Sequence, residues 1–439
     1  MPPATTPQGD GLARKLSGLD AASIVVGIVI GSGIFLVPSS LARSLPSAGL
    51  MLVAWIAGGI VTFFGALAYA ELGAMRPSTG GQYIYLREAW GPLAAFLSGW
   101  TLFLVIWSGG IAALAVAFAT YLAQLWPLTP AARNMVAIAL IAALSGLNAL
   151  GVREGAVAQN FVNALKIAGL AILTGGAFLA VGPEAMDWSL GREGVSASRF
   201  GTAMIGILFA YEGWNAASFV AGEVRDPERN LPRALALGTA FCAAVFSLVT
   251  LAYLRVLPIA TIAASERVGA AAAERVLGPA GATLATLTIL VAVAGSANGS
   301  ILTGPRMYFA QARDGLFFRG FGRVHPRLRT PATAILAQAV WSAVLVLSGT
   351  FDRLLTYAMV AAWTFYGLTV AGVIVLRRRE PERPRPYRMW GYPATPVIFC
   401  ALAAALVVNA LFTETAASLI SLGIVASGAP FYYWWRRRG

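Results

Sequence analysis

Gly27-Ile28-Val29-Ile30-Gly31-Ser32-Gly33-Ile34-Phe35 is the stretch from which the fold of this chain reads. It lies within an apolar segment at 20–45 and interrupts it midway with two glycines and a serine. A membrane-crossing helix needs about 20 mostly apolar residues, so the segment is long enough to cross. Unwinding a helix frees backbone N–H and C=O groups that lipid cannot satisfy, which is tolerated only where the backbone lines a cavity or is covered by protein.

A second interrupted segment, 199–222, carries Gly206-Ile207-Leu208-Phe209-Ala210-Tyr211-Glu212-Gly213-Trp214. Both lead into the next apolar segment in a similar way, through Arg43-Ser44-Leu45-Pro46 and Arg229-Asn230-Leu231-Pro232. Proline suits the first turn of a helix. Working outward, apolar segments fall at 20–45, 48–74, 92–123, 132–150, 154–181, 199–222, 232–257, 279–313, 331–349, 352–378, 394–412 and 415–436, about twelve spans in all. The longest linkers are 183–198, 258–278, 314–330 and 379–393. The interrupted spans are the first and the sixth. They lie five apart, so they cross in opposite senses and head two five-span halves of inverted topology. Interrupted segments at matching places in two such halves point to a substrate site near the bilayer midplane.

Composition agrees. The 439 residues are 58% hydrophobic and 12% charged, against about 25% charged in a soluble domain. The net charge of +13 does not mark a nucleic-acid binder, because the basic residues sit in short gaps between apolar spans. With the N-terminus inside, the inside gaps hold Arg225, Arg229 and Arg233, five arginines from Arg313 to Arg329, six from Arg377 to Arg388, and Arg436 to Arg438; the outside gaps hold far fewer, such as Arg43, Arg133, Arg192 and Arg353. This bias places both termini in the cytoplasm and favours an even number of spans. Cys242 and Cys400 both fall in apolar runs, so no disulfide framework is indicated. The first twenty residues lack the apolar core of a cleaved signal peptide. There is no Walker A motif, no GxSxG elbow and no metal-spaced cluster, so no enzyme activity, cofactor or metal is expected.

The chemistry-bearing positions concentrate at the breaks. Freed amides around Gly31-Ser32-Gly33 at a half-helix N-terminus suit a carboxylate, although Gly27 and Gly31 also form a small-xxx-small packing pair. Freed carbonyls from Phe209 to Asn215, beside Ala210, suit an ammonium, so the two breaks together suit a zwitterion. Phe209 is placed to cover a substrate and Asn215 to bond backbone or a neighbouring helix, whereas Tyr211 and Trp214 read as packing. Glu212 is a carboxylate inside a span, a functional candidate by default; it attracts a cationic side chain, carries a proton, or faces water at a cavity mouth. Lys166 lies mid-span in a chain whose only other lysine is Lys15. Carbonyls of span 1 and hydroxyls of span 8, such as Ser296, are candidate acceptors for its ammonium, which would replace a bound sodium ion or take part in proton coupling; the alternative is a side chain that snorkels to an interface. Gly109 and Gly110 allow close approach to span 3; Trp363 is placed to wall the pocket, although an aromatic in a span is more often a packing residue; Arg306 anchors the inner part of span 8, and His325 lies in a solvated loop.

At these positions the chain resembles the L-type amino acid transporter family of the amino acid–polyamine–organocation superfamily. The matching stretches are Ile30-Gly31-Ser32-Gly33-Ile34-Phe35, Phe209-Ala210-Tyr211-Glu212-Gly213-Trp214-Asn215, Glu223 to Pro232 (EVRDPERNLP), Ser296-Ala297-Asn298-Gly299-Ser300 and Arg385-Pro386-Tyr387. The resemblance implies an all-α membrane protein with a LeuT-type 5+5 inverted repeat, and sodium-independent amino acid transport, usually obligatory exchange. A cytoplasmic tail at 1–19, a ten-helix core at 20–378 and an accessory pair with a short cytoplasmic end at 379–439 would follow. The resemblance further implies that amides of Ser32 and Gly33 take the carboxylate, that carbonyls of Val29, Phe209 and Glu212 take the amine, that Phe209 is the gating aromatic and that Lys166 stands in for sodium. Members that pair with a glycoprotein heavy subunit carry a cysteine between spans 3 and 4. Gln124 to Asn134 has none, which implies a bacterial-type single chain in the inner membrane with no disulfide-linked partner. The family places glycine at the Glu212 position for large neutral substrates and an acid for cationic or other ones. A proton-coupled symporter or uniporter of the same fold is the alternative; a channel or sensor would show a polar stripe or a soluble domain, and neither is present.

Overall fold

A computed structural model describes residues 11–180, 188–190, 196–349 and 351–437, with side chains of 351–358 left aside. Most of the expected tail before Gly11, most of the 183–198 linker with Arg192, the side chain of Arg353, and Arg438 lie outside the described residues. Among the described residues the regular secondary structure is helical, apart from one isolated β-bridge between Leu16 and Val224.

The twelve expected segments are present, within one to three residues at most ends. Among the described residues nine helices are long and apolar enough to cross a membrane: Ala48–Met75, Pro92–Leu125, Pro130–Leu150, Val152–Leu179, Pro227–Val256, Pro279–Arg313, Met359–Arg379, Ala394–Thr413 and Thr415–Arg436. They are spans 2–5, 7, 8 and 10–12. Span 1 is a broken pair, Gly18–Val29 and Gly33–Ser44, bent by 42°. Span 6 runs as Ala197–Ala210, a turn through Tyr211–Asn215, and a 3-10 stretch Ala216–Glu223; span 9 is the short apolar helix Ala332–Ser348. The half-helices of span 6 are each too short to cross alone, as the inverted-repeat reading of two broken helices requires.

Local chemistry explains where these elements start. Span 1 begins at a capping box, with Asp20 N–H donating to Ser17 Oγ at 3.1 Å and Ser17 N–H to Asp20 Oδ2 at 2.8 Å. The second Asp20 oxygen accepts from Asn160 in span 5 at 2.7 Å, so the cap also fixes span 1 against its neighbour. Span 3 carries a π-helical turn, Leu102–Ile106, where it passes the breaks, a distortion frequent at functional sites.

Two gaps hold short α-helices that hydropathy alone does not show. The connection after span 2 contains the helix Gln82–Trp90, and the 258–278 linker contains Ile259–Ala264 and Val268–Leu277. All are too short to span. The first lies at the face where span 1 begins, here the N-terminal face; the other two lie at the opposite face, where Arg43 donates to Ala263 O at 2.8 Å.

The N-terminal half of the bundle is sealed by one fully buried ion pair and one partly buried one. Arg306 in span 8 and Glu223 at the end of span 6 are both fully buried and paired at 2.8 and 3.2 Å. Arg306, expected as a simple anchor, is therefore a cross-link between spans. Glu71 at the end of span 2 accepts from Arg377 at 2.8 and 2.6 Å and from Met389 N–H at 2.7 Å. Removing one partner of a buried pair costs about 3–5 kcal/mol, because the other charge is left uncompensated. Glu223→Ala is therefore expected to lower the thermal unfolding midpoint of the purified protein markedly, by a loss of that order. A midpoint equal to wild type would show that the pair is not structural.

Candidate functional site

The two breaks touch. A Cβ built on Gly33 would lie 2.6 Å from Ala210 Cβ and 2.7 Å from Ala210 Cα, so only glycine lets the start of one half-helix rest on the end of the other. Gly213 holds φ at +101°, and a Cβ there would meet Ile28 Cγ2 at 2.2 Å, so this glycine turns span 6 against span 1. Ala216 N–H donates to Gly213 O at 3.0 Å, restarting the chain as the 3-10 stretch.

Beside this contact is a cavity of about 310 Å³, within the size range of small-molecule pockets. Val29, Gly31, Ser32, Gly33, Gly110, Phe209, Ala210, Glu212 and Ser296 line it. It continues past Leu36, Leu114 and Ala117, away from the N-terminal face. Towards that face the path is packed: Trp107 meets Phe219 edge-on at 5.5 Å and Gly80 N–H donates to Phe219 O at 3.0 Å.

The polar groups are arranged by the breaks. The amide groups of Ser32 and Gly33 open the second half-helix, whose first-turn N–H groups have no carbonyl four residues back. Opposite them lie the carbonyls expected to be free. Val29 O accepts from Gly31 N–H at 2.8 Å and keeps a second lone pair, whereas Phe209 O is approached by Glu212 N–H at 3.0 Å and by Tyr211 N–H. A concentration of positive partial charge thus abuts a concentration of negative partial charge.

Lys166 lies behind span 1 rather than on the cavity wall. Its Nζ donates to the carbonyls of Val26, Gly27 and Ile30 at 3.3, 2.8 and 2.9 Å, and the side chain is fully buried. Ser296 Oγ lies within hydrogen-bonding distance of Gly27 O at 3.0 Å and Ile28 O at 2.9 Å. The ammonium and hydroxyl together satisfy the carbonyls that unwinding releases. A polar ladder backs them: Asn163 Nδ2 donates to Ser23 O at 2.7 Å, Asn298 Nδ2 to Gln159 Oε1 at 2.8 Å and Asn148 Nδ2 to Asn298 Oδ1 at 2.7 Å. Asn298 stands in the Ser296–Ser300 motif, whereas Gln159, Asn163 and Asn148 belong to no motif; their common signal in the sequence is a polar amide inside an otherwise apolar span.

Glu212 lies on the cavity wall with one oxygen held by the Tyr366 hydroxyl of span 10. Its other oxygen, Oε2, is buried without a partner among the described residues. Tyr366 was not singled out in the sequence. Its only signal there is its place one turn after Ala362, which lines the cavity. Tyr211 and Trp214 are packing residues, as expected: Tyr211 donates to Trp55 O at 3.1 Å, and Trp214 sits edge-on to Tyr69 at 4.8 Å.

Two expected site residues fall elsewhere. Trp363 is not on the cavity wall; Met359 and Ala362 are. One position on, the helical phase turns Trp363 onto Phe399 of span 11, stacked at 5.6 Å. Asn215 is likewise off the cavity wall. It lies past the Gly213 turn, buried, with Nδ2 3.5 Å from Gln82 Oε1. It joins the network in which Tyr69 donates to Gln82 Oε1 at 2.8 Å and Gln82 to Ser98 at 2.9 Å.

Comparison with known proteins adds the relatives of this architecture. The family described as amino acid permease matches residues 16–434. The chain is 32% identical to the b(0,+)-type amino acid transporter 1 of Homo sapiens over 97% of this chain and 89% of that protein. It is 32% identical to the large neutral amino acids transporter small subunit 2 of Mus musculus, over 97% and 81%. It is 31% identical to the serine/threonine exchanger SteT of Bacillus subtilis, over 98% and 99%.

Contact between the breaks gives a direct test. Gly33→Val drives a side chain into the backbone of span 6, and overpacking of this kind costs about 1–3 kcal/mol. Binding of labelled amino acid to the purified protein is expected to weaken roughly tenfold or more with the elution profile unchanged. Wild-type binding by this variant would place the ligand away from the breaks.

Proposed function

The chain belongs to the amino acid permease family, and from that premise we propose that it is a sodium-independent exchanger of L-amino acids working by alternating access. It is a multi-pass membrane transporter, not an enzyme. The observation that carries the proposal is the Lys166 ammonium on three carbonyls at the break of span 1. A fixed positive charge occupies the position where a bound cation would otherwise satisfy those oxygens, so no sodium ion is needed to hold the site. The abutting half-helix ends provide for both charged groups of an amino acid, with Ser32 and Gly33 amides on the carboxylate, Val29, Phe209 and Glu212 carbonyls on the ammonium, and Phe209 as the gate over them.

In this reading residues 20–378 form the transport core, 379–439 an accessory pair with a short end, and 1–19 a tail. Both termini lie in the cytoplasm, the protein sits in the inner membrane, and it works as a single chain without a disulfide-linked heavy subunit. The cavity then faces outside, with the cytoplasmic half sealed. Glu212 selects the side chain: its free oxygen at the cavity favours a substrate that brings a hydrogen-bond donor or a positive charge. The same oxygen supports the second reading, a proton-coupled symporter or uniporter in which the carboxyl carries the proton.

Uptake of labelled amino acids into proteoliposomes separates the two. Exchange predicts uptake only when vesicles are loaded with unlabelled amino acid, equal in sodium and choline buffers. Uptake into empty vesicles accelerated by an inward proton gradient would replace it with the symporter reading. Glu212→Gly is expected to shift the rank order of substrates towards large neutral side chains with similar expression; an unchanged rank order would remove Glu212 as the selector.

A further inference from the structure

At the N-terminal face the start of span 7 and the 380–393 segment enclose a cleft of about 510 Å³, lined by Arg229, Arg233, Leu237, Pro386 and Tyr387, with one carboxylate, Glu228. Both arginines are exposed, and neither forms an ion pair or side-chain hydrogen bond among the described residues; Glu228 pairs with neither. Arg388, also exposed, follows Tyr387 directly.

The helix continues this cleft into the bilayer. Arg229, Arg233, Leu237, Phe241, Ala244 and Leu248 follow one another at helical spacing, and all are exposed. Residues three and four apart share a helix face, so two guanidiniums stand at the membrane surface above a lipid-facing apolar track. Trp390, 73% exposed, lies at the same face in the segment that walls the cleft, and tryptophan favours the interfacial zone.

Arginines at span ends set topology by charge alone, and any end would serve for that. Here charge, cleft and apolar track coincide on one face. We propose that this cleft binds the phosphodiester headgroup of an anionic phospholipid, held by Arg229 and Arg233, with one acyl chain along Leu237 and Phe241. Arginine suits phosphate because its planar fork gives paired hydrogen bonds. Free phosphate shares the headgroup chemistry but has no use for the apolar track.

The test uses the full chain in detergent, with phosphatidylglycerol, phosphatidylcholine and inorganic phosphate as probes and native mass spectrometry as readout. Each basic residue at a membrane surface contributes about 1 kcal/mol towards anionic lipid. Arg229→Gln/Arg233→Gln is therefore expected to weaken phosphatidylglycerol binding roughly 30-fold. Arg229→Lys/Arg233→Lys, which keeps the charge but loses the paired hydrogen bonds, should fall between wild type and the glutamine pair, and phosphatidylcholine should bind weakly to all. Arg436→Gln/Arg437→Gln, which removes two exposed arginines at another span end, should leave it unchanged. Should the glutamine pair fail to fold, Leu237→Asn keeps both arginines and is expected to weaken phosphatidylglycerol severalfold without affecting phosphate. An equal loss in the Arg436/Arg437 variant would reduce the site to general surface charge. Full competition by inorganic phosphate would make it a free-anion site. Either result overturns the proposal.

Discussion

The structure turns on how a helix can be broken inside a membrane and stay folded. Span 1 stops at Val29 and restarts at Gly33, so backbone groups that a continuous helix would satisfy are left open. Lipid offers them nothing. Lys166 and Ser296 supply donors to the carbonyls of Val26, Gly27, Ile28 and Ile30 from behind, leaving the amide end of the second half-helix facing the cavity. The ammonium is itself buried and is tolerable only because those carbonyls receive it. Break and lysine therefore match each other: the carbonyls at the break are the ones that receive the ammonium.

The rest of the bundle keeps that arrangement aligned. Span 6 brings its own break against the first through Gly33, Ala210 and Gly213, positions where a larger side chain would collide with the opposite backbone or with Ile28. On one side of the contact, the cavity extends past Leu114 and Ala117. On the other, Trp107 against Phe219 and the buried Glu223–Arg306 pair close the bundle. Aromatic packing and a desolvated ion pair are discrete contacts, made or broken rather than graded, which is the kind of element that supports two alternative packings.

Much of this was legible in the sequence because local patterns carried it. A Gly-Ser-Gly inside an apolar run signals a break without any tertiary knowledge, and its partner at Gly213 lies at a matching place in the second half. Lys166 stood out because a lone lysine deep in a span has few possible explanations. What was not legible depended on angle and distance. Trp363 and Ala362 are neighbours in sequence, yet a helical step of about 100° sends one to the cavity and the other to Phe399. Asn215 stands three residues from Glu212 in sequence, but the Gly213 turn directs it away from the cavity and onto Gln82. Tyr366, Glu71 and Glu223 acquire their meaning only from partners more than 80 residues away. The short helices between spans escaped because hydropathy reports length in lipid, and these lie at the membrane faces.

The central claim is that the Lys166 ammonium, rather than a bound cation, holds the break of span 1. Initial uptake of labelled amino acid by Lys166→Ala in preloaded proteoliposomes, in sodium and in choline buffer, tests it most directly, with thermal unfolding as the control for folding. Folded protein is expected, with transport lost in choline and any recovery confined to sodium or another small cation able to occupy the vacated carbonyls. Wild-type uptake by Lys166→Ala in choline would contradict it, because the break would then be held by something other than this charge.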